Sequence, residues 1–435
     1  MKLLKKIGYG LGEMGLVVPY FAVNFYFLYF LTDLVFMDPF LAGIVVFIGK
    51  FLDGASDPFI GVMSDKTRSR FGKKRVYILF SAIPFAVSFI LLWLIPPSIN
   101  PWVQFVLAVL AIILYASTYS LCEVPYLALI PILSNDYDER TQIVGIKAML
   151  STIGTILGAG LAVLLPRCDN MLLGLRLMGL GLGISAAILL FVAAISVRKE
   201  DQTSITGIFD ETTKKENTKE PVSNPSTIPI EEQKKEVNNG ETYSLKQYIL
   251  LLKDKNVVIL LIMKMVGALA TSILIAVLPY VAEYIIIDQT LGAIGLAIYI
   301  LITVGCIPLW NFLSKWFDKR RLLLIGLTVF SAILIPLAFI ISRDMLVVYY
   351  IGCGLLGIFM ASYLIIAYSL VPDLVEYYEY KKGERHEAIF FGLWNTSHQI
   401  GAGLGGLLLG SFLKYFDYNA ELSVQPDRAI LGLRL

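Results

Sequence analysis

Long apolar stretches alternate with short polar segments along most of the chain. Each stretch has about 20 or more residues, the length that a helix needs to cross a bilayer. The stretches cover residues 8–32, 39–63, 76–96, 102–130, 141–166 and 173–197, then 256–287, 291–314, 321–342, 345–371 and 388–416. They are continuously apolar rather than alternating, which indicates helices and not a membrane-spanning barrel. The pattern predicts an all-α membrane protein with eleven spanning helices.

A polar segment separates the first six helices from the other five. Residues 198–243 are rich in Lys, Glu, Thr, Asn and Pro, a composition typical of a disordered linker. Residues 244–255 place apolar residues on one face and lysines on the other, which predicts a helix at the membrane surface. We therefore divide the chain into an N-terminal bundle (1–197), a linker with an interfacial helix (198–255) and a C-terminal bundle (256–435).

The two halves share short segments. Leu129-Ile-Pro-Ile-Leu-Ser-Asn135 resembles Leu370-Val-Pro-Asp-Leu-Val-Glu376, and Leu173-Gly-Leu-Arg-Leu177 recurs as Leu431-Gly-Leu-Arg-Leu435. Because the first copy of the second segment opens the sixth helix, we expect a twelfth helix to begin at its second copy, and that helix is missing. A shortened gene and a native eleven-helix carrier would both explain this. Duplicated halves with a linker between them are typical of the major facilitator fold, two six-helix bundles.

Basic residues are concentrated in alternate loops. The loop after the second helix contains Lys66, Arg68, Arg70, Lys73, Lys74 and Arg75, and the loops after the eighth and tenth helices are also basic. Residues 32–38, 96–101 and 287–291 contain no Lys or Arg. Because basic loops face the cytoplasm, we expect the N-terminus and the linker to be cytoplasmic, in a multi-pass protein of the inner (plasma) membrane.

Three charged residues interrupt the second apolar stretch. Lys50, Asp53 and Asp57 are three and four residues apart, so they share one helical face. Each charge at bilayer depth costs at least ~2.5 kcal/mol, so these side chains should face protein or a water-filled cavity rather than lipid. A buried ion-pair lock between helices would explain them. We favour the other reading, a functional site that holds a cation, transfers protons or grips a polar solute.

The loop after the second helix has a distinctive spacing. It reads Gly61-x-x-x-Asp65-Lys66 and then Arg70-Phe-Gly72-Lys73-Lys74-Arg75, which resembles the loop signature of the major facilitator superfamily. We expect Gly61 to let a neighbouring helix approach closely, and Asp65 to pair with basic residues or cap the next helix. Plain positive-inside topology explains the basic residues but not the spacing of Gly61 and Asp65. The signature indicates a fold and gives no substrate.

Further motifs narrow the resemblance to one family. They are Gly8-Tyr-Gly-Leu-Gly-Glu13, Asp53-Gly-Ala-Ser-Asp57-Pro58, Thr67-Arg-Ser-Arg-Phe-Gly-Lys73, and Glu123-Val-Pro-Tyr with Ile130-Pro and Asp138-Glu-Arg-Thr141. In this order they resemble the glycoside–pentoside–hexuronide:cation symporters, the melibiose-permease-like branch of the superfamily. The resemblance extends over both halves apart from the linker.

The resemblance implies a site. Asp53 and Asp57 match the family's cation-binding carboxylates, Glu123 matches an acidic residue that serves cation, sugar or both, and Ser120 matches a neighbouring hydroxyl. Lys50 matches a basic residue one turn before the carboxylates and Lys147 a fifth-helix position usually occupied by Arg, and both are candidates to bind the solute. From the residues alone, carboxylate oxygens suit Na⁺, or a proton where burial favours the neutral acid.

Other candidates lie on the eleventh and fourth helices. Gln399 stands where the family typically has a Lys, a departure that leaves the solute and the strength of coupling open. Trp394 and Asn395 precede Gln399 by about one turn and would stack on and hydrogen-bond a sugar, although a packing role for the Trp fits equally. Tyr119 flanks Glu123 and would line the same cavity.

Together these features predict a secondary transporter rather than an enzyme. We see no nucleophile, metal cluster or nucleotide-binding loop, and the Cys and His residues lack metal-ligand spacing, so we expect no cofactor and no metal site. The expected function is Na⁺- or H⁺-coupled symport of a sugar or glycoside; the alternative is a cation-coupled carrier of a lysophospholipid or other amphiphile. The expected partners are a small solute and the lipid bilayer, with no nucleic acid, and we expect a monomer.

Overall fold

The structure is a computed structural model that describes residues 3–67, 69–97, 99–134, 136–164, 170–197, 251–382, 387–422 and 424–434. The predicted linker and interfacial helix lie outside these residues, apart from 251–255. The described residues form eleven long helices and a short twelfth one. Nine of them are long and apolar enough to cross a membrane. The predicted all-α membrane fold is therefore confirmed.

The helices follow the predicted spans closely. They are α1 Leu3–Tyr29, α2 Pro39–Lys66, α3 Arg75–Leu92, α4 Pro101–Leu127, α5 Tyr137–Leu164, α6 Met171–Ser196, α7 Lys255–Tyr284, α8 Gln289–Leu313, α9 Lys319–Ile340, α10 Leu346–Lys382, α11 Glu387–Tyr415 and α12 Asp427–Arg434. Short helical turns, Ile130–Leu133 and Arg343–Met345, lie between α4 and α5 and between α9 and α10. The short helix α12 contains the position where the repeat predicts a twelfth helix.

The starts of α2 and α4 are explained by the residues that precede them. The Asp38 side chain accepts hydrogen bonds from the backbone N–H groups of Phe40 and Leu41, and a proline occupies the first position of α2. Asn100 caps α4 in the same way, again before a proline. The N-cap side chain accepts hydrogen bonds from backbone N–H groups that have no partner within the helix, and proline at the first position has no N–H that would need one.

Two predicted helix ends are wrong. The first helix does not end before a 32–38 loop, because α1 continues into a π-helical segment, Phe30–Leu34. The tenth helix does not end near residue 371, because α10 runs through Pro372 to Lys382. Proline removes only one intrahelical hydrogen bond, and in a spanning helix neighbouring helices compensate for that loss.

The two halves meet along three helix pairs. These are α1 with α7, α2 with α11, and α5 with α8. Glycines allow the α2–α11 contact to be close: a Cβ on Gly43 would lie 2.9 Å from the Gly406 carbonyl oxygen, and one on Gly410 would collide with the Pro39 carbonyl. Small residues let helix backbones approach in a membrane. This contact places the charged face of α2 against α11.

Candidate cation and solute site

The charged face of α2 forms the centre of the site. Asp53 is buried, with 4% of its surface exposed, and the Lys50 side chain is buried as well. Asp57 lies one turn beyond Asp53 and is partly exposed. Gly54 keeps this face close to α11, since a Cβ there would lie 3.0 Å from the Gln399 Cβ. The predicted stripe therefore faces protein.

Both oxygens of Asp53 accept hydrogen bonds. Ser120 of α4 donates from Oγ to Oδ1 over 3.0 Å, and Gln399 of α11 donates from Nε2 to Oδ2 over 2.5 Å. Ser56 donates in turn to the Ser120 hydroxyl over 3.0 Å. The carboxylate of one half is thus held by a hydroxyl of its own half and an amide of the other. A neutral amide therefore contacts the carboxylate at the position where the resemblance implies a lysine.

Asp57 also accepts a hydrogen bond from α11, but only one of its two carboxylate oxygens has a donor. Asn395 donates from Nδ2 to Asp57 Oδ2 over 3.0 Å. Asp57 Oδ1 and Gln399 Oε1 are buried, and among the described residues they have no hydrogen-bond donor. A buried oxygen without a donor is unfavourable, and a bound cation or an added proton supplies what it lacks. Asp53, Asp57, Ser120 and Gln399 therefore bring together the ligands that a hard cation prefers.

Glu123 lies on the same side of α4 as Ser120. It is half-buried and lies three residues after Ser120, so the two side chains share one face of α4. The third predicted carboxylate thus lies on the face of α4 that carries Ser120, the donor to Asp53. Lys147 forms a salt bridge of 3.2 Å to Glu13 of α1. This pairing joins α5 to α1 within the N-terminal half.

Aromatic rings surround Lys50. Its Nζ lies 4.0 Å from the centre of the Tyr20 ring, and Tyr20 stacks on Tyr119 with ring centres 5.3 Å apart. Lys50, Asp53 and these two tyrosines line a cavity of about 40 Å³ between the halves, together with Ser272 and Gly406 from α7 and α11. A cavity of this volume holds an ion or a few water molecules.

Trp394 is buried in this conformation, with 5% of its surface exposed, whereas Asn395 is exposed. The Trp394 ring faces the Lys264 ammonium of α7, whose Nζ lies 4.8 Å from the ring centre. Sequence reasoning missed Lys264, although a single charge inside the apolar helix α7 is the signal that identified Lys50. The expected stacking face of Trp394 is thus in contact with a cation.

The signature loop, which follows α2, is held in place by contacts within the N-terminal half. Arg75 donates from Nε to the Ala194 carbonyl of α6 over 2.6 Å, and Gly72 has a φ of 109°, which favours glycine. Arg70 lies over Phe71, while Lys73 is half-buried. The Asp65 side chain lies outside the described residues. The close helix approach expected at Gly61 is absent, because the atom nearest to a Cβ there, Val124 Cγ1, is 3.9 Å away.

A second polar cluster joins the halves at the opposite end, and the sequence did not suggest it. Asp33, in the π-helical segment, accepts hydrogen bonds from the hydroxyls of Thr32, Tyr284 (2.8 Å) and Tyr418. Thr32 also shares a hydrogen bond of 2.7 Å with Tyr280, and Lys414 forms a salt bridge of 2.8 Å to Asp38. These contacts hold the two halves together and close the molecule at this end.

The comparisons with known proteins assign the family. The sequence profile of the MFS/sugar transport protein family matches residues 8–224 and 218–435. The chain belongs to this family of major facilitator transporters, as the motifs predicted, and it is a membrane transporter rather than an enzyme.

Relatives and a solved structure agree with this assignment. The chain is 24% identical to the putative glycoside/cation symporter YagG of Escherichia coli (strain K12), over 99% of this chain and 86% of that one. It is 25% identical to the sodium-dependent lysophosphatidylcholine symporter 1 of Gallus gallus, over 100% and 83%. The fold matches that of the nucleoside transporter NupG with a TM-score of 0.68 and 14% identity, over 100% of this chain and 95% of that one.

Proposed function

We propose that this transporter is a symporter that couples Na⁺ or H⁺ to the uptake of a sugar or glycoside. The observation that carries the proposal is the pair of buried acceptor oxygens, Asp57 Oδ1 and Gln399 Oε1, beside the Asp53–Ser120 hydrogen bond. Two carboxylates, a hydroxyl and an amide oxygen match the preference of Na⁺ for oxygen ligands. Protonation of a carboxylate would satisfy the same oxygens in a proton-coupled carrier.

Coupling between cation and solute follows from the side chains that donate hydrogen bonds to the carboxylates. Gln399 and Asn395 belong to the C-terminal half and donate to Asp53 and Asp57. When a cation neutralises these carboxylates, the amides lose their best acceptors and become available to a solute. Cation binding in one half therefore prepares the α11 face of the other half, so each ligand favours the other.

The solute is proposed to bind between the halves, next to the cation. Glu123, Lys147 and Lys50 supply polar contacts from the N-terminal half, while Trp394 and Asn395 supply an aromatic ring and an amide from the other. Tyr119 lines the end of the cavity. Alternating access then requires the halves to rock about this site.

The proposed orientation follows the basic loops. With the N-terminus and linker in the cytoplasm, the Asp33 cluster faces outward and the signature loop faces inward. The outer end is then the closed one, held by contacts of α1 with α7 and by the α2–α11 glycines. We further propose that the carrier acts as a monomer in the plasma membrane.

A lysophospholipid or similar amphiphile is the second candidate solute. The observation that favours it is the full-length similarity to a sodium-dependent lysophosphatidylcholine symporter. Such a carrier would use the same carboxylates for its cation, so the two candidates differ in the solute and not in the coupling site.

A thermal-shift screen of the purified protein tests the proposal. Sugars, glycosides and lysolipids are each added with and without Na⁺, at neutral and acidic pH. We expect at least one solute to raise the melting temperature more when the cation is present than when it is absent. Counterflow in liposomes then checks that the same solute is transported. Stabilisation by solutes that never depends on Na⁺ or pH would contradict symport.

A further inference from the structure

A lysine inside a spanning helix, Lys264, has no role in the proposed coupling. Lys264 is the single charged residue between Lys255 and Glu283 of α7. It lies nine residues after the helix start, which is about 13 Å along the helix axis and therefore well inside the bilayer. A lysine at that depth is costly, so its ammonium is expected to face protein or a water-filled cavity and to serve a function.

The surroundings of Lys264 are aromatic rather than acidic. Its Nζ lies 4.8 Å from the centre of the Trp394 ring and 5.7 Å from that of Tyr363. Among the described residues, no carboxylate forms a salt bridge with it. Lys147, by contrast, is paired with Glu13. Ring faces attract an ammonium, but they leave its N–H donors without oxygen acceptors.

Lys264 also lies next to the cation site. Trp394 and His398 are four residues apart on α11 and lie on one face of the helix. Asn395 directly follows Trp394, and Gln399 directly follows His398, so this second pair lies about 100° further round the helix axis. The first face meets Lys264 through the Trp394 ring. The second face donates to Asp57 and Asp53. A solute lying along α11 would therefore contact both the ammonium and the amides.

The polar atoms near Lys264 are incompletely satisfied. His398 Nδ1 is buried and has no hydrogen-bond partner among the described residues, and the Lys264 side chain is itself partly exposed. An accessible ammonium supported by aromatic rings and lacking an acidic partner is suited to an oxyanion. It would give such a ligand a charge-assisted hydrogen bond in a water-poor site, where that bond is strongest.

We propose that Lys264, held over Trp394 and Tyr363, binds an oxyanion on the transported solute, so that the solute is an acidic glycoside or a phosphate-bearing amphiphile rather than a neutral sugar. The inference rests on the proposed function and deepens it by naming the charge of the solute. The anion is a carboxylate, sulfonate or phosphate group. Its charge offsets that of Lys264, while the cation offsets the charge of the α2 carboxylates.

Matched pairs of probes test this inference. Methyl β-glucuronide is compared with methyl β-glucoside, and a lysophosphatidate with the corresponding monoacylglycerol, each at saturating Na⁺. For the full-length wild type we expect the acidic member of one pair to bind at least tenfold more tightly than the neutral member, because hydrogen bonds between charged groups are stronger than those between neutral groups. The pair that shows this preference identifies a sugar acid or a lipid phosphate as the source of the anion.

Variants then assign the preference to Lys264. Lys264→Gln should remove it, Lys264→Arg should keep most of it, and Lys253→Gln, which changes a lysine before α7, should leave it unchanged. The wild-type comparison stands even if Lys264→Gln does not fold. Equal binding of acidic and neutral members, a preference that survives in Lys264→Gln, or no binding by any probe overturns the inference. A neutral glycoside that binds only with Na⁺ would overturn it while leaving the proposed function intact.

Discussion

Asp57 is the residue on which the proposed cation site depends most directly. Its Oδ2 is held by Asn395 while its Oδ1 lacks a donor, so it is ready to accept a cation or a proton. Asp57→Asn should abolish stabilisation by Na⁺ or by acidic pH, which for the wild type reaches about 2.7 kcal/mol at a hundredfold excess over Kd. Melting temperatures over a Na⁺ titration at several pH values measure this. Asp344→Asn, at an exposed position, is the control; a full response in Asp57→Asn would contradict the site.

Gln399 offers a second test, because it replaces the family's lysine. Gln399→Lys places an ammonium against Asp53 Oδ2, where the amide now donates. The ammonium would compete with the cation, and we expect the affinity for Na⁺ to fall tenfold or more. Gln399→Leu removes the amide without adding charge and separates the two effects. If Na⁺ binds equally well to the Lys variant and to wild type, Asp53 does not ligate the cation.

At this scale the sequence predicted the acidic residues better than their partners. The i, i+4 spacing of Asp53 and Asp57 is local and places both on one face of α2. Their donors Gln399 and Asn395 are more than 300 residues away along the chain, and helix periodicity cannot show which residues of α11 they meet. Family resemblance supplied Gln399, and Asn395 was a candidate because it lies about one turn before Gln399. Lys264 was missed although it stands alone in an apolar helix, because no family motif drew attention to it.

At the scale of elements, the contact between α2 and α11 controls the closed end of the molecule. Gly410→Ala would push a methyl group into the Pro39 carbonyl and separate the helices there. We expect the end that contains Asp33 to open. In a background without other cysteines, Ala116→Cys in the cavity should then react several-fold faster with a membrane-impermeant maleimide added from the proposed outer side.

The chain supplies a matched control for this variant. Gly305→Ala makes the same chemical change in α8, where nothing lies within 4 Å of the new methyl group. It should leave the labelling rate unchanged. Equal rates in Gly410→Ala and wild type would mean that this glycine contact does not hold the end closed.

Helix number and order were predictable because the pattern of apolar residues reports burial in lipid directly. Helix ends were less predictable. The π-helical turn that carries Asp33 is stabilised by Tyr284 and Tyr418, residues from the other half of the chain. Likewise, α10 runs through Pro372, a residue that local rules take as a helix end. In the first case tertiary contacts override the local signal.

At the scale of the whole molecule, the proposed ligands join the two halves. The carboxylates belong to the N-terminal half, whereas the amides that hold them and the Lys264 ammonium belong to the other. A cation and a solute that bind across this boundary stabilise the same arrangement of the halves. Each must therefore raise the affinity of the other by the same factor, and couplings of this kind typically amount to 1–3 kcal/mol.

The most direct test of cation coupling is the Kd of the transported solute at zero and at saturating Na⁺, repeated across pH. We expect the solute to bind at least fivefold more tightly with the coupling ion, and the ion to bind more tightly by the same factor with the solute. Asp57→Asn should remove both effects. A solute affinity that is equal at every Na⁺ concentration and pH would show a uniporter and contradict the proposed symport.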